Sequence, residues 1–173
     1  DSGAQSVTES GGAVLSVPYI VMERVHGRTL RQILHADGPL PAGEAARVMA
    51  EALSALGYSH DNGLIHRDVK PANVMVDAPG AVKVMDFGIA RAIADTAATL
   101  TNTSVVIGTA QYLSPEQAQG QDVDARSDVY GAGCVLYELL TGRAPFIGDS
   151  PVAIAYQHVG EDAQPPSVFA PDI

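Results

Sequence analysis

The sequence predicts an α+β chain that is mainly helical, and three observations carry that prediction. Apolar residues recur at helical spacing from Glu44 to His60, and again from about Asp128 to Leu140. Between them, two β-rich runs at 74–76 and 82–84 flank the turn residues Asp77-Ala-Pro-Gly80. The 173 residues, 46% hydrophobic and 17% charged, suffice for one core-forming domain or a large part of one. Twenty Asp and Glu against 10 Lys and Arg give a formal charge of −10. That excess argues against a nucleic-acid partner held on a basic face and against a polybasic membrane anchor. Apolar runs stop well short of the roughly 18–20 residues of a membrane span, so no membrane contact is expected of this segment. One cysteine cannot close an internal disulfide, and a reducing, cytoplasmic compartment is the natural reading. No secretory signal is visible at the start.

In chain order, the Gly/Ser-rich opening over 1–17 reads as a mobile loop. Pro18-Tyr-Ile-Val-Met22 reads as a strand. The helix over 44–60 places Val48, Met49, Ala52, Leu53 and Leu56 on one face and stops at Asp61-Asn62-Gly63, where a left-handed residue can cap it. The two valine runs and their turn form a hairpin. Residues 89–114 hold many Thr, Ala and Ser without a period, which predicts a long functional loop. The helix over 128–140 is given Ser127 as its cap and Gly142 as its stop, with Pro145 beyond. A shorter helix follows Ser150-Pro151, and the proline-bearing end is extended.

The densest chemical signal is His66-Arg67-Asp68-Val69-Lys70-Pro71-Ala72-Asn73, between a helix and a strand. Asp86-Phe87-Gly88 follows the second strand of the hairpin, and Ser114-Pro115-Glu116 ends the stretch that opens at Gly108-Thr109. A tripeptide alone is weak; three such motifs in this order and on these elements are specific. In them the sequence resembles the eukaryotic-like (Hanks-type) bacterial serine/threonine protein kinases, over essentially everything from Pro18 onward. Stretches such as VMDFGIARAIAD and IGTAQYLSPEQA are similar to the actinobacterial group whose longer chains carry a membrane span and extracellular PASTA repeats.

The resemblance implies a partial protein kinase domain over 1–173. Residues 18–25 would be the last N-lobe strand and hinge, and 26–173 a C-lobe truncated before its final helices. It also implies ATP and Mg²⁺, or Mn²⁺, as cofactors. Asp68 is the carboxylate that suits a general base for a Ser or Thr hydroxyl, and Lys70 a compact charge beside the transferring phosphoryl group. Asn73 and Asp86 are hard oxygen donors suited to the metal. By resemblance, Thr109 tethers Asp68 and Lys70. Met22, Glu23, Val25, Met75 and Met85 belong to the gatekeeper, hinge and walls of an adenine pocket. His66, Phe87, Gly88, Glu116 and Asp128 are supports; Asp128 holds the backbone around His66 and Arg67. Arg67 is of the type that receives an activation-loop phosphate, for which Thr101 and Thr103 are the candidates. The partners implied are proteins bearing Ser or Thr, and a second kinase copy for trans-autophosphorylation.

Plainer roles compete for some residues. His60 suits the dipole at a helix C-terminus, and Cys134 reads as a buried small hydrophobe. No G-x-G-x-x-G occurs, and neither Lys70 nor Lys83 can be the family's strand-three lysine. The fragment alone is therefore expected to be inactive. Two rival functions remain open: a catalytically silent kinase-like scaffold, and a small-molecule phosphotransferase of related fold. Intact Asp68, Asn73 and Asp86 oppose the first; Lys70 and the 108–116 segment oppose the second.

Overall fold

The computed structural model describes residues 2–8, 14–21, 23–87 and 110–173. Strands β1 (Ser2–Thr8) and β2 (Val14–Ile20) pair antiparallel, from Ser2 opposite Ile20 to Thr8 opposite Val14. This corrects the expectation of a loop over 1–17. Gly and Ser make the run look unstructured by composition, but ladder bonds use backbone groups and form without side-chain packing. Val7-Thr8 and Val14-Leu15 supply β-branched and apolar residues on either side of Glu9-Ser10-Gly11-Gly12-Ala13, a hairpin pattern in the sequence. The strand expected at 18–22 is thus displaced toward the N-terminus. Pro18 lies within it, opposite Ala4, which a two-stranded ribbon tolerates because both strands are edges.

β3 (Gly27–Thr29), β4 (Val74–Asp77) and β5 (Val82–Val84) form a second antiparallel sheet in the order β3-β4-β5. The β4–β5 turn is closed by Asp77, whose carboxylate accepts from the Ala81 N–H at 2.7 Å. Helix α1 (Leu30–Asp37) begins in a capping box: Thr29 Oγ1 accepts from the Gln32 N–H, and the Gln32 side chain accepts from the Thr29 N–H. Helix α2 (Ala42–Asp61) covers the expected helix with a few residues more, and Gly63 beyond it takes φ +75°.

Helix α3 (Pro115–Ala118) is a single turn capped by Ser114. Helix α4 (Ala125–Thr141) begins three residues before the sequence-based estimate. Its cap is Asp124, which accepts from the Arg126 N–H at 2.9 Å; Ser127 is already inside the first turn. An aspartate three residues upstream offers the same oxygen as the serine, so the cap is ambiguous by residue type. Gly142 ends α4 in the left-handed region at φ +75°, and its N–H donates to Glu138. Helix α5 (Pro151–Gly160) starts from Ser150 as expected.

The core lies where α2 packs on α4 and β5, with Leu30, Val48, Leu56, Val74, Val135 and Leu139 buried. The loop before α2 hooks onto α4 through the Leu40 N–H and the Leu139 carbonyl at 2.7 Å, which satisfies a carbonyl near the helix end. Gly131 on α4 permits a close approach. A Cβ there would sit 3.2 Å from the Val69 side chain and 3.5 Å from the Tyr112 carbonyl. Helix α4 is thereby the floor on which the 66–73 loop and the 110–114 segment both rest.

Candidate active site

The 66–73 loop is fixed from below by one carboxylate. Asp128, only 1% exposed, accepts from the His66 N–H at 2.8 Å and the Arg67 N–H at 2.7 Å. His60 Nε2 lies 2.7 Å from the same group, so the histidine at the end of α2 joins this anchor. Charge-assisted bonds of this kind are the strong ones, and here they organise backbone rather than contact a ligand.

His66 is fully buried and packs against Phe87, the two rings tilted by 42° with centroids 4.6 Å apart. Its Nδ1 accepts from the Asp68 N–H at 3.2 Å, which leaves the proton on Nε2 to donate to the Met85 carbonyl at 2.9 Å. The Met85 N–H in turn donates to the Asn73 carbonyl at 2.8 Å. Asp86 is therefore held one residue from a double clasp between the two motifs.

Around Asp68 the side chains converge. Lys70 Nζ donates to Asp68 Oδ2 at 2.6 Å, and Asn73 Nδ2 donates to Oδ2 at 3.1 Å and to the Asp68 carbonyl at 2.9 Å. Asn73 is placed by the 3₁₀ turn Pro71–Asn73, which proline initiates. With its amino end on Asp68, Asn73 has its amide oxygen as the side-chain acceptor. Asp86 itself is exposed and holds φ +56°, while Arg67 holds φ +65°. These are the only non-glycine residues with positive φ among the described residues. Such conformations cost about 1–3 kcal/mol each and persist where the surroundings over-determine them.

The structure thus brings together Asp68, Lys70 and Asn73, and links them through Met85 to Asp86, His66 and Phe87. Glu23 lies apart from that group and pairs with Lys83 at 2.6 Å. Lys83 is opposite Met75 in the β4–β5 register, so the 23–25 segment reaches the sheet rather than Asp68. Val25, Met75 and Met85 are half-buried. Glu116 accepts a hydrogen bond from Ser127 on α4. Met22, Gly88, Thr101, Thr103 and Thr109 lie outside the described residues, as does most of the loop expected over 89–114. Cys134 is buried, and that burial pushes its thiol up to about 12.

Sequence reasoning missed two features. Tyr112 donates to the buried Glu138, and Arg31 reaches both, donating to the Tyr112 hydroxyl at 2.7 Å and lying 3.4 Å from Glu138. Burial, then the Glu138 charge, raises the Tyr112 pKa, so the phenol remains a donor. Three residues from three distant parts of the chain leave no local signal. Gln117 is the second: its side-chain Nε2 donates to the Arg67 carbonyl at 2.8 Å. Here the Ser114-x-x-Gln117 capping box was visible as a pattern.

Residues 14–166 match the family model described as protein kinase domain. The chain is 65% identical over 165 residues to the serine/threonine-protein kinase PknB of Mycobacterium leprae, covering 94% of this chain and 26% of the relative. It is 67% identical over 151 residues to the protein of the same name from Mycolicibacterium smegmatis, covering 87% of this chain and 24% of the relative. The chain therefore spans about a quarter of the length of these curated relatives.

Proposed function

The chain belongs to the protein kinase domain family, and from that premise we propose that it carries the phosphoryl-transfer centre of an ATP-dependent serine/threonine protein kinase. The observation that supports this best is the Asp68 carboxylate held by Lys70 at 2.6 Å and Asn73 at 3.1 Å in a loop whose backbone is bonded to a buried aspartate. In this reading Asp68 orients the substrate hydroxyl and accepts its proton, and positioning of that kind supplies most of the catalysis in this chemistry. Lys70 holds the Asp68 carboxylate through its 2.6 Å bond and offers positive charge to the phosphoryl oxygens.

Among the described residues no group of three or more His, Cys, Asp or Glu could hold a metal ion. The donor set fits a divalent ion shared with nucleotide phosphates, for which one or two protein oxygens suffice. Asp86 and the amide oxygen of Asn73 would hold it, and Mg²⁺, or Mn²⁺, would there offset phosphate charge. Glu23, Val25, Met22 and Met75 would line the adenine site. Thr109 would steady Asp68 and Lys70, and Arg67 would receive a phosphate placed on Thr101 or Thr103 by a second copy of the kinase. No helix among the described residues is long and apolar enough to cross a membrane. A cytoplasmic site for this domain follows from its use of ATP.

The test is phosphoamino-acid analysis after incubating the full-length kinase that carries this segment with γ-labelled ATP and a generic protein substrate. Label on phosphoserine and phosphothreonine supports the proposal. No protein-bound label, or label on a small molecule alone, would refute it.

A further inference from the structure

We infer that Gln117 is a positioning residue for Asp68, acting through the carbonyl of Arg67; the inference rests on the reading of Asp68 as the base. The peptide unit between Arg67 and Asp68 is held at both ends. Its carbonyl accepts from Gln117 Nε2 at 2.8 Å, and its N–H donates to His66 Nδ1 at 3.2 Å. The preceding N–H, that of Arg67, is held by Asp128. Between these clamps Arg67 keeps φ +65°, a conformation that its own side chain disfavours. The plane of this peptide sets the direction in which the Asp68 side chain leaves the backbone, so a clamp on the plane is a clamp on the carboxylate.

Both ends of the Gln117 amide are used. Oε1 accepts from the Ser114 N–H at 3.1 Å, and Nε2 donates to Arg67. Reversing the amide would set oxygen against the Arg67 carbonyl and NH₂ against the Ser114 N–H, which fixes the assignment. The oxygen end belongs to the cap of α3, and any acceptor there would serve. Only the nitrogen end reaches the strained loop. Its neighbour Glu116 is bonded to Ser127 on α4, so Gln117 acts from a fixed base.

Two reciprocal substitutions separate the ends. Gln117→Glu keeps an oxygen for Ser114 but has no donor for Arg67. Gln117→Lys keeps a donor but no acceptor for Ser114. Gln117 borders a cleft of about 470 Å³ that it shares with Arg67, Gly120 and Asp122, so a charge here can be hydrated and folding should survive.

Both variants and Asp68→Asn are made in the full-length kinase and compared by steady-state kinetics, thermal unfolding and hydrogen exchange of the 66–70 peptide. Gln117→Glu should lose roughly tenfold in kcat, about 1.4 kcal/mol, with KM for ATP within twofold, an unchanged Tm and faster exchange over 66–70. Gln117→Lys should keep kcat within about threefold. Equal kcat for the two variants, or the reverse order, would overturn the inference while an inactive Asp68→Asn leaves the base assignment standing. An active Asp68→Asn would instead remove the reading on which the inference rests. If Gln117→Glu fails to fold, the Lys variant decides: kcat within threefold supports the clamp, and a tenfold loss contradicts it.

Discussion

Replacing Asp128 by Asn changes one atom in a fully buried group and should damage both the fold and the site. The carboxylate faces three donors: the His66 and Arg67 N–H groups at 2.8 and 2.7 Å, and His60 Nε2 at 2.7 Å. His66 and His60 share Oδ2, whereas Arg67 uses Oδ1. An asparagine can keep one oxygen and must turn its NH₂ toward a donor on the other side. At least one buried N–H is then left unpaired, and the charge that strengthened the remaining bonds is gone. Each unsatisfied buried donor costs roughly 1–3 kcal/mol, so a total of about 2–4 kcal/mol is expected. For a domain of this size that is a fall in Tm of about 5–15 °C. The assay is thermal unfolding of the full-length kinase with and without the substitution, with Asp162→Asn on the exposed surface as the control. Kinase activity measured below both transitions should fall as well, because the Arg67 N–H is one of the clamps behind Asp68. A Tm within 2 °C of wild type together with unchanged activity would refute the claim that Asp128 organises this loop.

Two further outcomes follow from single groups. His158 is 4% exposed, with the Tyr130 hydroxyl 2.7 Å from Nδ1 and the Phe146 ring against it, and burial lowers its pKa below 6.5. The unfolded chain therefore binds the proton first, so this stability is fully present above pH 6.5 and is lost as pH falls below it. Tm between pH 7 and 5 should decline less steeply in His158→Gln than in wild type; parallel curves would contradict this. Asp86→Asn should raise the Mg²⁺ concentration needed for half-maximal activity by tenfold or more, and superimposable Mg²⁺ titrations would exclude Asp86 as a ligand.

The helical core was legible because its signals are local and periodic: the apolar face of 44–60, the stop at Gly142, and Ser150-Pro151 at the start of α5. The cluster around Asp68 was legible for a different reason. Asp68, Lys70 and Asn73 lie within six residues of sequence, and their convergence needs only one loop and one 3₁₀ turn. The β1–β2 hairpin was missed because backbone pairing can override a Gly/Ser-rich composition. Helix α1 was missed although Thr29-x-x-Gln32 carried its capping box, since its eight residues show only a short apolar stripe. The Tyr112–Glu138–Arg31 cluster and the Gln117–Arg67 bond depend on contacts across 26 to 107 residues. No window along the chain contains such pairs.

In the proposed function Asp68 accepts the proton of the substrate hydroxyl. Asp68→Asn keeps the volume and can keep the bond to Asn73, but removes the base and the ion pair with Lys70. Steady-state phosphorylation of a protein substrate by the full-length kinase, with Tm measured on the same samples, is the direct measurement. A loss of roughly 10²–10⁴ in kcat with the fold intact is expected for a general base. A rate within tenfold of wild type in a folded protein would show that the chemistry does not run through Asp68.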